Sequence, residues 1–228
     1  VVTTARDAQA LTRCDVDGVT IHRLPWAGGR VLTHATGPGR RQVSEYVARL
    51  DPDVVHAHDT FGLMVQALAL PRVFTVHGFI HADTRLNGGG FSRVRSWLWR
   101  RVEVAGWRDQ PHIISISPYV RQTLAAVTSS TIYDIDNPID ASFVALERKT
   151  AAPIIFSAAQ ISPLKNTITL VEAFAKVGAV VPRATLRLAG AIADTGYAER
   201  VRDTIARFAL TDRVCLLGSV SRDQIEEE

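Results

Sequence analysis

Cysteine is nearly absent from this sequence. The 228 residues hold two, Cys14 and Cys215. They lie far apart, so neither a disulfide framework nor a cysteine metal cluster is expected, and both read as small buried hydrophobes in a reducing compartment. Long apolar runs are missing too. No stretch of eighteen uncharged apolar residues occurs, which argues against a membrane-spanning helix, and no secretory signal is visible. No Gly-x-Gly-x-x-Gly follows an apolar run, so the dinucleotide fingerprint is not met. No Asp-x-Asp metal motif is read at a strand end, and no obligatory metal or other cofactor is expected. A dominant charge is lacking as well. Basic residues outnumber acidic ones 17 to 14 through residue 150 and match them nine to nine thereafter, for a net charge of +3. This balance does not argue for nucleic acid as a partner. Lysine is scarce, three against 23 arginines, and one of the three, Lys165, sits just before a helical pattern.

Short apolar runs recur along the chain: Val1–Thr4, Val19–Leu24, Val54–His56, Val73–Val76, Ile113–Ile116, Thr131–Ile135, Ile154–Ser157, Leu186–Ala189 and Val214–Leu217. Between many of them lie stretches of helical period: Arg41–Leu50, Phe61–Leu70, Ser92–Trp107, Pro118–Val127, Thr167–Val177 and Ala198–Phe208. Strands alternating with helices imply βαβ units, parallel sheets covered on both faces, and right-handed crossovers. The rhythm breaks at "NPIDASFVALERKTAA" and restarts at Pro153. Two Rossmann-like α/β domains are therefore expected, 1–140 and 153–228, joined by a linker over 141–152. The chain opens inside an apolar run without a methionine and stops where Ser221 begins to cap a helix. A piece of a longer protein, incomplete on both sides, is the expectation.

In parallel α/β sheets, ligands bind beyond the carboxyl ends of the strands, and four segments deserve inspection there. "DVVHAHD" puts His56 and His58 on one face of a strand. A metal pair and a pair of hydrogen-bonded strand-end histidines are both open, though spacing completes no ligand set. "FTVHGF" ends a strand on His77 and follows it with Gly78, which suits a turn or the close approach of a ligand. Its imidazole is able to accept a proton or donate to a sugar hydroxyl near neutral pH. Residues 91–108 form a basic helix with an apolar stripe of Val94, Leu98, Val102 and Ala105 beside Trp97, Trp99 and Trp107. Such a helix is either a crossover with a solvated basic face or a surface for peripheral contact with an anionic membrane. Finally, "FSAAQISPLKN" runs from a strand through a loop to Lys165 and Asn166. Asn166 is placed to cap the next helix, whose free N–H groups and dipole favour an anion beside the lysine.

Several segments taken in order, "PDVVHAHDTFG", "FTVHGF", "ISISPYVRQTL", "DNPID", "ISPLKNTITLVEAFAKV", "ATLRLAG" and "DRVCLLGSV", resemble the GT-B retaining glycosyltransferases of family 4. The resemblance implies two facing Rossmann-like domains, the first binding the acceptor and the second a nucleotide-diphosphate sugar. It implies a catalytic role for His77 against the donor sugar and a diphosphate contact for Lys165. Gly190 matches a glycine near the donor nucleoside. Where the family has Gly-Arg five residues before the lysine, this chain has Ala159 and Gln160. Gln160 donates hydrogen bonds but carries no charge, a loss of roughly 1.5–3 kcal/mol of donor binding if one charge-assisted contact goes. Ala191 and Ile192 depart from the family's acidic-glycine pair. Its Glu-x7-Glu segment and its amino-terminal glycine-rich loop are not found here. The implied activity is transfer of a sugar to an acceptor hydroxyl with retention of configuration, in polysaccharide or glycolipid synthesis. A glycan or lipid-linked acceptor and a cytoplasmic site at the inner face of the membrane go with it. The intact parent is expected to be the enzyme, and this segment alone to be inactive. Two other readings stay open: a non-catalytic nucleotide-sugar-binding homologue and a GT-B-shaped sugar-nucleotide epimerase.

Overall fold

The computed structural model describes residues 1–146 and 152–228. Of the expected linker 141–152, residues 147–151 lie outside the described residues. The chain divides into two compact units: unit one is Val1–Arg85 with Gly89–Asn137, and unit two is Leu86–Gly88 with Pro138–Glu228.

Unit one opens with β1 (Val2–Ala5), β2 (Thr12–Val16) and β3 (Val19–Pro25) in a sheet of order β1-β3-β2. The β1–β3 pair is parallel, and β2 runs antiparallel to β3 from Val16 opposite Val19 to Thr12 opposite Arg23. The two-residue turn between them is Asp17-Gly18, both left-handed at φ 52° and 79°. That is the turn whose twist matches a hairpin. The helices α1 (Val31–Thr36) and α2 (Pro38–Leu50) follow. A four-stranded parallel sheet comes next: β4 (Val55–His58), β5 (Arg72–Val76), β6 (His112–Ser115) and β7 (Thr131–Asp134), in sequence order. Helices α3 (Asp59–Val65), α4 (Ile80–Leu86), α5 (Ser92–Arg108) and α6 (Pro118–Ala125) connect these strands. Met64, Phe74, Val76, Ile113, Leu124 and Trp107 are buried in one core between the helices and the strands.

Unit two contains α7 (Ala141–Val144), β8 (Ile154–Ala158), α8 (Thr167–Val180), β9 (Thr185–Ala189), α9 (Thr195–Arg207), β10 (Val214–Gly218) and α10 (Arg222–Glu227). The sheet order is β10-β9-β8, all parallel. Val171 and Phe174 of α8 and Val201 of α9 close over Leu186 and Leu188 of β9. Sequence-local signals fix the helix starts. Asp194 accepts a hydrogen bond from the Tyr197 N–H at 2.8 Å, and Ser221 and Gln224 form a reciprocal capping box.

Two expectations, on the cysteines and on Asn166, are corrected here, and the buried face of α5 is identified. Both cysteines are exposed. Cys14 lies on β2, exposed along its whole length, and Cys215 on the edge strand β10, so neither is a core residue. The aliphatic stripe of α5 is divided: Val102 packs against the core, while Val94, Leu98 and Ala105 are exposed. Val94 and Leu98 are 53% and 38% exposed, whereas Ser96, Trp99, Glu103, Gly106 and Trp107 are buried. Trp99 and Trp107 bring more apolar area than the aliphatic stripe, so their face takes the core. Asn166 occupies the N-cap position of α8 but sits left-handed at φ 50° and makes no side-chain cap. Its Oδ1 accepts from the Thr169 hydroxyl at 2.9 Å instead.

Candidate active site

In unit one, β4 and β5 run parallel with His58 opposite Thr75, which brings the residues at their carboxyl ends together. His58 Nδ1 and His77 Nε2 are 2.8 Å apart, and the two rings stack with centroids 5.1 Å apart. One nitrogen must donate and the other accept, so the pair shares a single hydrogen at that contact. His56 lies 4.4 Å from the His58 ring and hydrogen-bonds Thr75 Oγ1 at 2.7 Å. Burial first, then the neighbouring His56 and His77 rings, hold the His58 pKa below its ordinary value, while Asp59 works the other way. His58 therefore stays neutral where a free imidazole would begin to charge. The histidines read at β4 are hydrogen-bonded strand-end groups. Among the described residues no three His, Cys, Asp or Glu side chains group to hold a metal.

An Asp-x-Asp does close β7, against the expectation that none stands at a strand end. Asp134 and Asp136 flank Ile135, but Asp134 is tied to Arg121 at 2.8 Å.

The segment after His77 is held by a residue that the sequence did not single out. Glu103 is 3% exposed. Its carboxylate accepts from the Ile80 N–H at 2.7 Å and the His81 N–H at 3.0 Å, and pairs with His81 Nδ1 at 2.8 Å. It thereby caps α4 across the fold, three residues beyond His77. Burial raises its pKa, and the His81 and Ile80 hydrogen bonds oppose that rise. Its position midway between Trp99 and Trp107 at helical spacing was a usable signal. A charge centred on a buried aromatic face needs a specific partner. Gly78 has no left-handed backbone, and a Cβ there would meet nothing within 4 Å. The turn does not require glycine, and the space beside it is open.

In unit two, the ends of β8, β9 and β10 form a cleft of about 270 Å³. Gln160 and Gly190 both line it, with Ala159, Ser219, Val220 and Ile225. The parallel pairing continues past the strands. The Ala159 N–H donates to Ala189 O at 2.8 Å, and the Ile161 N–H to Ala191 O at 3.0 Å. Gln160 is thus pinned by its backbone neighbours while its side chain is exposed. Gly190 has φ 150°, and a Cβ on it would lie 2.0 Å from Ala159 O. Only glycine fits that crossing point. Lys165 is not among the residues lining this cleft. It ends a single 3-10 turn, Pro163–Lys165, capped by buried Ser162, and is exposed. The Ile168 N–H at the start of α8 is already taken by the Tyr197 hydroxyl at 3.1 Å. One of the free donors expected at that helix terminus is therefore satisfied inside the fold.

Two α/β units with parallel sheets and ligand-accessible strand ends define the GT-B type. The family model for Glycosyltransferase Family 4 matches residues 1–143, and the chain belongs to that family. Among solved structures it is similar to HepE of Anabaena, crystallised in complex with UDP and glucose. The match has a TM-score of 0.62 and 16% identity over 90% of this chain and 57% of that one. The catalytic domain of starch synthase IV from Arabidopsis thaliana, bound to ADP and acarbose, matches with a TM-score of 0.56 and 12% identity, over 95% of this chain and 60% of that one. The lipopolysaccharide outer core galactosyltransferase WaaB, in its apo form, matches with a TM-score of 0.55 and 13% identity, over 91% and 56%. This chain thus spans a little over half the length of these structures. No curated protein matches it.

Proposed function

We propose that the protein to which this chain belongs transfers a sugar from a nucleotide-diphosphate donor to an acceptor hydroxyl, with retention at the anomeric carbon. The observation that carries the donor side is the cleft at the ends of β8, β9 and β10, which Gln160 and Gly190 both line. HepE, of the same fold, is crystallised with UDP-glucose, which supports a nucleotide sugar as the ligand class. Negative charge grows on the leaving diphosphate as the glycosidic bond breaks. Lys165 and the remaining N–H groups at the start of α8 stabilise that charge. Gln160 adds a neutral hydrogen bond where a cation is common in the family. His77, its ring fixed by His58, positions the donor sugar near the reacting carbon. The acceptor is a glycan or a lipid-linked glycan, and the protein works in polysaccharide or glycolipid synthesis at the cytoplasmic face of the membrane.

Gln160 also favours a second reading, a homologue that binds nucleotide sugar without turning it over, because the missing charge weakens leaving-group stabilisation. The two separate in one experiment on the longer protein, supplied with a nucleotide sugar with and without acceptor. Transfer that depends on acceptor and falls by orders of magnitude in Lys165→Ala supports the transferase. Binding without turnover supports the second reading. Turnover that needs no acceptor points to an epimerase and removes both.

A further inference from the structure

A second opening lies in unit one, away from the strand-end histidines. A groove of about 700 Å³ runs between α4, α5 and the end of α6. Its lining includes Val104 and Trp107, and it carries three arginines, Arg85, Arg93 and Arg100. None of the three pairs with a carboxylate among the described residues. The single acidic residue of α5, Glu103, is buried and occupied with the start of α4. Arg93 and Arg100 of α5 thus stand beside Arg85 of α4 along one groove, a local concentration of positive charge in a chain whose net charge is only +3.

Beside the groove stands apolar surface that no described residue covers. Phe91 is 83% exposed, Val94 53%, Trp97 54% and Leu98 38%. Trp97 also lines the groove, and its ring is braced by the Arg101 guanidinium 4.5 Å from the centroid. Clusters of arginine next to exposed Trp, Phe and aliphatic side chains suit an interface that is anionic at the surface and apolar just beneath it. A polyanion in water matches the arginines but leaves Phe91, Val94 and Leu98 exposed. A neutral protein surface matches the apolar groups but strands the charges. We infer that α5 and the α4–α6 groove dock on an anionic lipid bilayer. In this arrangement Arg85, Arg93 and Arg100 bind lipid phosphates, and Phe91, Val94, Trp97 and Leu98 enter the headgroup–acyl boundary. The inference stands apart from the donor cleft and does not depend on sugar transfer.

The test uses the 228-residue chain and phosphatidylcholine vesicles with and without phosphatidylglycerol. Sedimentation reads binding, and tryptophan emission reads insertion. The expected result is binding that needs phosphatidylglycerol, weakens with salt, and shifts the emission to the blue. Combined Arg85→Gln, Arg93→Gln and Arg100→Gln lowers the partition coefficient about a hundredfold, from the usual worth of a basic residue at an anionic surface. Combined Phe91→Ser and Trp97→Ser removes the blue shift. All of these side chains are solvent-facing or line an open groove, and an unchanged circular dichroism spectrum confirms that the variants fold. Equal binding to both kinds of vesicle, no binding, or an unaltered triple variant overturns the proposal. Displacement from vesicles by inorganic phosphate or duplex DNA at matched ionic strength also overturns it, since the site would then recognise phosphate rather than a lipid surface.

Discussion

Replacing Gly190 by alanine tests whether the donor cleft is a built crossing of two chains or an incidental hollow. The new Cβ would lie 2.0 Å from the Ala159 carbonyl oxygen, 2.5 Å from its carbon and 3.0 Å from the Gln160 nitrogen. These are backbone atoms, held by the Ala159–Ala189 and Ile161–Ala191 hydrogen bonds on either side, so no rotamer change relieves the overlap. Holding a non-glycine residue at φ 150° costs about 1–3 kcal/mol, and overpacking adds about 1–3 kcal/mol. The sum, about 2–6 kcal/mol, is a large share of the roughly 5–15 kcal/mol that stabilises a domain. Urea unfolding followed by far-ultraviolet circular dichroism measures it, with Gly78→Ala as control because its Cβ meets nothing within 4 Å. All four tryptophans, Trp26, Trp97, Trp99 and Trp107, lie in unit one, so their fluorescence marks the part of the transition that belongs elsewhere. The expected result is a dichroism transition moved to lower urea in Gly190→Ala and unmoved in Gly78→Ala. A wild-type transition in Gly190→Ala would refute the reasoning, and with it the claim that this crossing shapes the cleft.

Two further outcomes rest on buried groups of unit one. His34 is fully buried, stacks on Trp26 with ring centroids 3.7 Å apart, and has no hydrogen-bond partner on either ring nitrogen among the described residues. Burial and then the charge of Arg6 lower its pKa from the ordinary 6.5. The unfolded chain therefore binds more protons just below that pH, and stability falls as pH drops through 6.5 toward the folded pKa. His34→Phe should flatten that fall, read by tryptophan fluorescence in urea at a series of pH values, with little loss at neutral pH; an unchanged slope would assign it to other groups. Glu103→Ala leaves the Ile80 and His81 N–H groups without their acceptor, at about 1–3 kcal/mol for each buried orphan. Hydrogen exchange should show those two amides losing protection ahead of the β5 and β6 strands, and retained protection would mean that another group caps α4.

The parts of the fold carried by local pattern were readable in advance. Each of the nine apolar runs became a strand within a residue or two, because a buried parallel strand announces itself by a short run of β-branched and aliphatic residues. The hairpin strand β2 was not read, although Asp17-Gly18 is its signal. Thr12–Val16 is exposed throughout, so it has no apolar run to notice. The buried face of α5 stays open in the sequence, because period alone does not say which of two apolar stripes is buried when tryptophans lie in both. At the candidate site, topology pointed to the strand ends where Gln160 and Gly190 meet. The contributions of Tyr197, Ser219 and Ile225 depend on where α9, β10 and α10 return to β8, and nothing local to those residues signals it. The partners of Glu103 lie more than twenty residues away, so its place between Trp99 and Trp107 signals a buried charge but not which helix it caps.

The contact between His58 and His77 reaches past geometry. With Nε2 of His77 committed to His58, only its Nδ1 remains to meet another molecule. If His77 donates to His58, that nitrogen is a bare lone pair and greets a hydroxyl proton. If His58 donates to His77, the same nitrogen carries a hydrogen and greets an oxygen. The polarity of the group presented to a sugar is thus written by the tautomer of its neighbour. A substitution at position 58 could reverse what His77 recognises without moving His77 at all.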